Sequence, residues 1–402
     1  MMDVLGARVV GPLEPHARGY VEYLGGRGYT VMTRRQHMTL VAHLSRWLAR
    51  EGLDTADLTT GVVVRYVGQR VSAGYRTFRS HGALGPLLSY LRGAGAAPAR
   101  PPVAVSTVDA RVERFRSYLL AERGLRPNVA GFYVTSVRPF VAGVAVDDAV
   151  DAVGVSAQAV ITFVSGLAGS LAPKTVQGRA SALRSLLRFW FLDGVTDADL
   201  SVAVPKIAHR PTGLPKALPA GQVTALLASC DTSSANGLRN LAILSMLARM
   251  GLRAGEVAGL RLDDLDWRHG EVVVRGKGGR VDRLPLPADV GQVLADYLRA
   301  GRPGTALDRY VFLRVKAPHH GLTSTGVTQV VDAAAHRAGL GTIYAHRLRH
   351  SAATAMLAAG APLVEIGQVL RHHSALTTAV YAKVDIDALR GLAMPWPWQV
   401  AR

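Results

Sequence analysis

Proline sets the segmentation of this chain. Two stretches rich in proline, glycine and alanine, GAGAAPARPPV at 93–103 and PKIAHRPTGLPKALP at 205–219, interrupt an otherwise helical pattern. Proline fixes φ and has no amide donor, so neither stretch fits a helix interior or a central strand; both read as linkers. The 402 residues therefore divide into segments 1–98, 104–203 and 218–402, each long enough to bury its own core.

The first two segments look related. YLGGRGYT from Tyr23 pairs with YLLAERGL from Tyr118, TTGVVVRYV from Thr59 with SAQAVITFV from Ser156, and LLSYLRGAG from Leu87 with LLRFWFLDG from Leu186. In each copy Thr59 or Ser156 is placed to cap a helix, and apolar residues then recur at helical spacing. A duplicated unit of four or five helices is expected, against the alternative of chance likeness between amphipathic segments. The third segment is mixed. Helical patterns cover about 219–229 and 236–250, EVVVR (271–275) and RVDRLPL (280–286) read as strands around the turn GKGG, and further helices start near 288, 324, 346, 362 and 374. The chain is thus expected to be mainly α with one small β-sheet.

The formal charge of +18 and the pI near 10.6 favour a polyanionic partner, nucleic acid before membrane surfaces. The excess is +6 over 1–98, +4 over 104–217 and +7 over 218–402, a spread that suits contact along a duplex rather than one basic tail. The single cysteine, Cys230, excludes an internal disulfide framework and a cysteine-based zinc site and fits a reducing cytoplasm. No leader pattern and no membrane-spanning apolar run are found, so a cytoplasmic, nucleoid-associated protein is expected.

In HRLRHSAAT (346–354) helical spacing puts His346, Arg349, His350 and Ala353 on one face, with Leu348, Ala352, Ala355 and Ala359 on another. One face packs and the other reaches for an anion. His346 and His350 have the spacing of a helical metal pair, but Arg347 stands where a zinc protease carries glutamate and the neighbouring arginines repel a cation. No metal and no cofactor are expected. TAMLAAGAPLVEIGQVLRHHS (354–374) could pass for a helix-turn-helix, a degenerate motif that explains neither Arg253 nor Tyr381.

MGLRAGEVAGLRLDDLDW (250–267), HRLRHSAAT and VLRHHSALTTAVY (369–381) resemble, in order, the three signature boxes of the tyrosine recombinases, or phage integrases. The resemblance covers 218–385 and, more loosely, 104–203. It implies a helical DNA-binding domain at 104–203 and an α+β catalytic domain with a C-terminal tail at 218–402; with the related helical unit 1–98 this makes two helical N-terminal DNA-binding domains and a catalytic domain, arranged as a clamp on double-stranded DNA. It also implies a homo-tetramer on two recombination sites. The leading unit 1–98 exceeds a minimal recombinase, and would grip additional DNA or arrange protomers. The tail after Tyr381 would dock on a neighbouring protomer or on its own domain.

Chemistry explains why these residue types belong together. Transesterification of a phosphodiester without metal must stabilise a doubly charged transition state, which planar, permanently charged guanidinium pairs do; Arg253 and Arg349 are the candidates. The resemblance makes Tyr381 the nucleophile, forming a 3′-phosphotyrosine and freeing a 5′-hydroxyl, so that bond energy is kept for resealing. His346 would accept the phenolic proton or donate to phosphate, and His372 would donate to a non-bridging oxygen. Lys277, on the GKGG turn, matches the family's acid for the departing 5′-oxygen; only six of the 47 basic residues are lysine, and ammonium can give up a proton where guanidinium cannot. Glu256 would hold Arg253, and His350 would be a buried support. Arg371 and His373 depart from the family, which carries glycine and a small residue there. The expected activity is integration, excision or transposition of a mobile element. The rivals are a type IB topoisomerase, which relaxes supercoils with similar residues, and a DNA-binding regulator with a dead site.

Overall fold

The computed structural model describes residues 2–99, 106–146, 149–150, 155–208, 217–276, 279–304, 306, 308–371, 378 and 381. They group into two compact units, one formed by 1–100 with 213–402 and the other by 101–212.

Within the first unit, residues 1–98 open on a hairpin absent from the sequence reading, β1 (Met2–Val4) paired antiparallel with β2 (Ala7–Val9). Leu5 and Gly6 turn it with φ of 55° and 77°, the left-handed pair that a two-residue hairpin turn needs. Four helices follow: α1 (Ala17–Gly26), α2 (Val31–Arg50), α3 (Thr60–Ser72) and α4 (His81–Gly93). Leu24, Met38, Leu44, Leu48 and Leu91 are fully enclosed with Val9 of the hairpin. Thr59 caps α3 as expected, its hydroxyl accepting from the Val62 amide.

The second unit carries α5 (Thr107–Ala121), α6 (Pro127–Gly143), α7 (Ala157–Ala168) and α8 (Pro173–Leu192), with the two-residue strands β3 (Ala145–Val146) and β4 (Ala149–Val150) between α6 and α7. Ser156 accepts from the Ala159 amide at 3.1 Å, and Pro127 and Pro173 begin their helices, where a missing amide costs nothing. Trp190, Phe115, Leu186 and Val137 fill its core. The four-helix content repeats in both segments, and the leading hairpin does not.

The remainder of the first unit runs α9 (Ala220–Ala228), α10 (Ala235–Arg249), α11 (Ala254–Ala258), β5 (Leu265–Asp266), β6 (Glu271–Arg275), β7 (Val281–Pro285), α12 (Ala288–Asp296), α13 (Ser324–Arg337), α14 (Ala345–Ala358) and α15 (Leu363–Val369). The sheet is an antiparallel meander β5-β6-β7 in which Val272 faces Leu284 and Val274 faces Asp282. Val272 and Val274 point into the core, as alternation requires, while Val281 at the far end is exposed. Helix α10 runs through the centre of this core, with Ile243, Leu244, Met246 and Leu247 fully enclosed. The expected elements from 219 to 369 are present within a residue or two; the one expected near 374 lies outside the described residues. No helix among them is long and apolar enough to cross a membrane.

Candidate active site

The site starts where α10 stops. Gly251 turns the chain with φ +60°, a conformation that favours glycine, and a Cβ there would lie 2.6 Å from Leu370 Cδ2 and push that side chain aside. The turn delivers Arg253 to the N-cap of the short helix α11. Glu256, three residues on, reaches back: its Oε2 accepts from the Arg253 amide at 2.8 Å and its Oε1 from Arg253 Nη1 at 2.8 Å. The Glu256 side chain is only 4 % exposed, whereas that of Arg253 is 36 % exposed. The sequence reading placed Glu256 in this role.

Helix α14 supplies the second box. Its Arg349 is 1 % exposed, and it donates through Nη1 to the Gly251 carbonyl at 2.6 Å and through Nη2 to the Leu370 carbonyl. The two candidate arginines sit at different depths, Arg349 beneath and Arg253 more open. Burial and the neighbouring Arg253 charge pull the Arg349 pKa down to about 10, so it stays charged at neutral pH. Arg347, which lies off the face shared by His346, Arg349 and His350, has its carbonyl bonded by Ser351 Oγ at 3.0 Å.

Tyr381 is 2 % exposed and packs with Ala353, Ile366 and Leu370 of its own chain. Its hydroxyl lies 2.8 Å from His350 Nδ1. Burial raises the phenol pKa and the nearby Arg349 charge opposes that rise. Burial, His346 and Arg349 lower the His350 pKa to about 4, so at neutral pH this imidazole is uncharged and within hydrogen-bond reach of the phenol, though a weaker base than an ordinary imidazole. The sequence reading gave proton acceptance to His346 and only support to His350. In the structure His350 is the imidazole against the phenol, and His346 is exposed, its ring edge-on to His350 at 4.5 Å between centroids.

Arg371 is the residue that sequence reasoning missed as a participant. It sits in the left-handed region with φ +55°, a conformation that costs a non-glycine residue about 1–2 kcal/mol. This explains the family's glycine. Here the arginine turns inward instead: its Nη2 meets Glu256 Oε2 at 2.6 Å with the side chain 3 % exposed. The available signal was the departure from glycine itself. Three guanidinium groups, Arg253, Arg349 and Arg371, thus gather around one carboxylate, Glu256. The formal excess of two positive charges suits a phosphodiester.

Lys277 and His372 lie outside the described residues. The strands that flank Lys277 are in place, closed by the Gly276 amide donating to the Arg280 carbonyl at 2.8 Å. Among the described residues no group of three or more histidine, cysteine or carboxylate side chains could hold a metal ion.

Comparison with known proteins bears on the family. The phage integrase family model matches residues 216–387. A protein of Sinorhizobium fredii named as an integrase/recombinase, y4rA, is 37 % identical over 96 % of this chain and 95 % of its own length. The tyrosine recombinase XerD of Listeria monocytogenes is 32 % identical over 68 % of this chain and 93 % of its own. Among solved structures, the XerH site-specific recombinase bound to a palindromic difH substrate aligns with a TM-score of 0.53 and 18 % identity, covering 83 % of this chain and 94 % of that one. A lambda integrase tetramer bound to a Holliday junction aligns with a TM-score of 0.53 and 15 % identity over 76 % of this chain and 87 % of that one. With relatives 37 % and 32 % identical matched over most of their length, this chain belongs to the tyrosine recombinase (phage integrase) family.

Proposed function

We propose that this chain exchanges DNA strands at specific duplex sites to integrate, excise or transpose a mobile element, working as a homo-tetramer that holds two sites. The observation that carries the reading is the seating of the Tyr381 phenol in its own chain against a neutral imidazole, His350, and within the field of the buried Arg349.

The steps follow from that geometry. A phosphodiester enters at the exposed side of Arg253, and Arg253 and Arg349 offset the charge that builds on its non-bridging oxygens. The phenolic proton passes to His350, and the Tyr381 oxygen bonds to phosphorus as the bond to the 5′-oxygen breaks. Lys277 returns a proton to that oxygen, while His346 and His372 donate to the phosphate. The 3′-phosphotyrosine so formed is attacked by a 5′-hydroxyl of another strand, which restores the phenol. No metal enters any step, and Glu256 acts by holding Arg253. The basic helical segments 1–98 and 104–203 supply contacts to the duplex backbone, which position the protein without reading sequence. Such a protein would be nucleoid-associated. Docking of the tail 382–402 on a neighbouring protomer concerns residues outside those described.

The test uses duplexes that carry the genomic sequence on either side of the coding region, each nicked beside the scissile position so that the freed 5′ fragment diffuses away. A covalent protein attached at a 3′ end, lost in Tyr381→Phe, is expected. Binding without an adduct would make the chain a regulator. Strand exchange between two labelled sites supports recombination, and supercoil relaxation without exchange would indicate the topoisomerase reaction instead.

A further inference from the structure

We propose that Arg371 is a positioning residue for Arg253: by holding one oxygen of Glu256 it prevents Arg253 from closing both of its terminal nitrogens onto that carboxylate, and so keeps the guanidinium available to phosphate. This rests on the recombinase reading of the site. Left to themselves, an arginine and a carboxylate form a two-bond fork. Here only Arg253 Nη1 reaches Glu256, at 2.8 Å on Oε1, because Oε2 is taken by the Arg253 amide at 2.8 Å and by Arg371 Nη2 at 2.6 Å. Arg371 also acts from its backbone, whose carbonyl is 3.4 Å from Arg253 Nη2. The second terminal nitrogen of Arg253 is thereby directed away from the carboxylate.

The surroundings fit a purpose-built position. An arginine persists at φ +55° where glycine would be unstrained, which requires that its side-chain bonds outweigh the backbone cost. The root of the lysine-bearing turn is adjacent, since a Cβ on Gly276 would lie 3.9 Å from Glu256 Oε1. Asp282 of β7 also acts on Arg371 by its charge. Among the described residues, Arg371 Nε and Asp282 Oδ2 are both buried without a hydrogen-bond partner. Arg371 thus lies in an ionic chain from Arg253 through Glu256 toward the strand that follows Lys277.

The test is single-turnover adduct formation on the nicked duplex at saturating protein, measured beside equilibrium binding of the same duplex. Arg371→Gly removes the backbone strain and is expected to bind DNA within about threefold of the parent yet to form adduct roughly 10–100-fold more slowly, the scale of a small misplacement at a reacting centre. Arg371→Lys, which can still reach Oε2, is expected to recover part of that rate and provides the same test if the glycine variant melts early. Because the effect runs through Arg253, Arg371→Gly added to Arg253→Ala should slow the residual rate no further. An unchanged rate in Arg371→Gly, or an equal loss in both backgrounds, would overturn the proposal. Absence of adduct from the parent protein would count against the recombinase reading instead.

Discussion

His350 Nδ1 and the Tyr381 hydroxyl lie 2.8 Å apart, across 31 residues of sequence and between a helix that packs on the core and a tyrosine buried against it. The contact puts an uncharged imidazole nitrogen within hydrogen-bond reach of the group that must lose a proton, which is the geometry a general base needs. His350→Ala should therefore slow adduct formation about 100-fold or more, the usual loss on removing a general base. His346→Ala should leave the phenol's acceptor in place and cost less. Equal rates for His350→Ala and the parent would sink this assignment of the base.

The same histidine gives the protein a pH signature. Its folded pKa of about 4 lies below the ordinary value of 6.5, so between those limits the unfolded chain binds a proton that the folded chain refuses. Stability is then fully present above pH 6.5 and falls as the pH drops toward 4. Burial lowers His37 in the same direction, so the informative quantity is the difference between proteins. Thermal melts of His350→Gln should lose less between pH 7 and pH 4.5 than those of the parent; parallel curves would show that His350 does not contribute.

Glu256 is buried and accepts from the Arg253 amide, Arg253 Nη1 and Arg371 Nη2. Replacing its charge leaves the enclosed Arg371 guanidinium without its counter-ion, a loss of about 3–5 kcal/mol for a buried pair. Glu256→Gln should lower the urea midpoint accordingly with the m-value unchanged, and should also slow adduct formation. A variant as stable as the parent would mean that Arg371 finds another counter-ion, with Asp282 the nearest candidate.

What could be read in advance followed the range of the interactions concerned. The hairpin 271–285 and the caps Thr59 and Ser156 are written in alternation and short-range chemistry, and they appear where expected. The strand Leu265–Asp266 is two residues long and has no periodicity of its own; it exists because β6 offers it an edge. The set Arg253, Glu256, Arg349 and Tyr381 was legible from box spacing. Which histidine meets the phenol was not, since positions 346 and 350 share a helix face and only the seating of Tyr381 on Ala353 and Leu370 chooses between them. The Glu256–Arg371 pair spans 115 residues. Nothing local encodes it.

Gly251 offers a test of the support beneath the arginines. Alanine at φ +60° is strained, and its Cβ would meet Leu370 Cδ2 at 2.6 Å. The Leu370 side chain must shift, and the same residue's carbonyl is one of the two that hold Arg349, as the Gly251 carbonyl is the other. Gly251→Ala should therefore cost about 1–3 kcal/mol of stability and slow cleavage by more than the lost fraction of folded protein explains. A variant that is less stable but cleaves at the parent rate at a temperature where it is folded would separate the turn from the site.

The proton for the 5′-oxygen can be tested without reference to where residue 277 sits. An alkoxide is a poor leaving group and needs an acid, whereas a thiolate departs readily because a thiol is far more acidic than an alcohol. If Lys277 is the acid, Lys277→Ala and Lys277→Arg should both slow cleavage at an ordinary phosphodiester by about 100-fold or more. Arginine fails despite its charge because guanidinium does not give up its proton. A duplex with sulfur in place of the bridging 5′-oxygen should then be cleaved at nearly the same rate by parent and variants. Rescue of Lys277→Arg by that single atom would place the lysine's role at the leaving group. Equal slowing on both duplexes would instead make Lys277 a binder of the phosphate, with the acid to be sought among the histidines of the site, since the other cations flanking the turn, Arg275 and Arg280, are guanidinium groups.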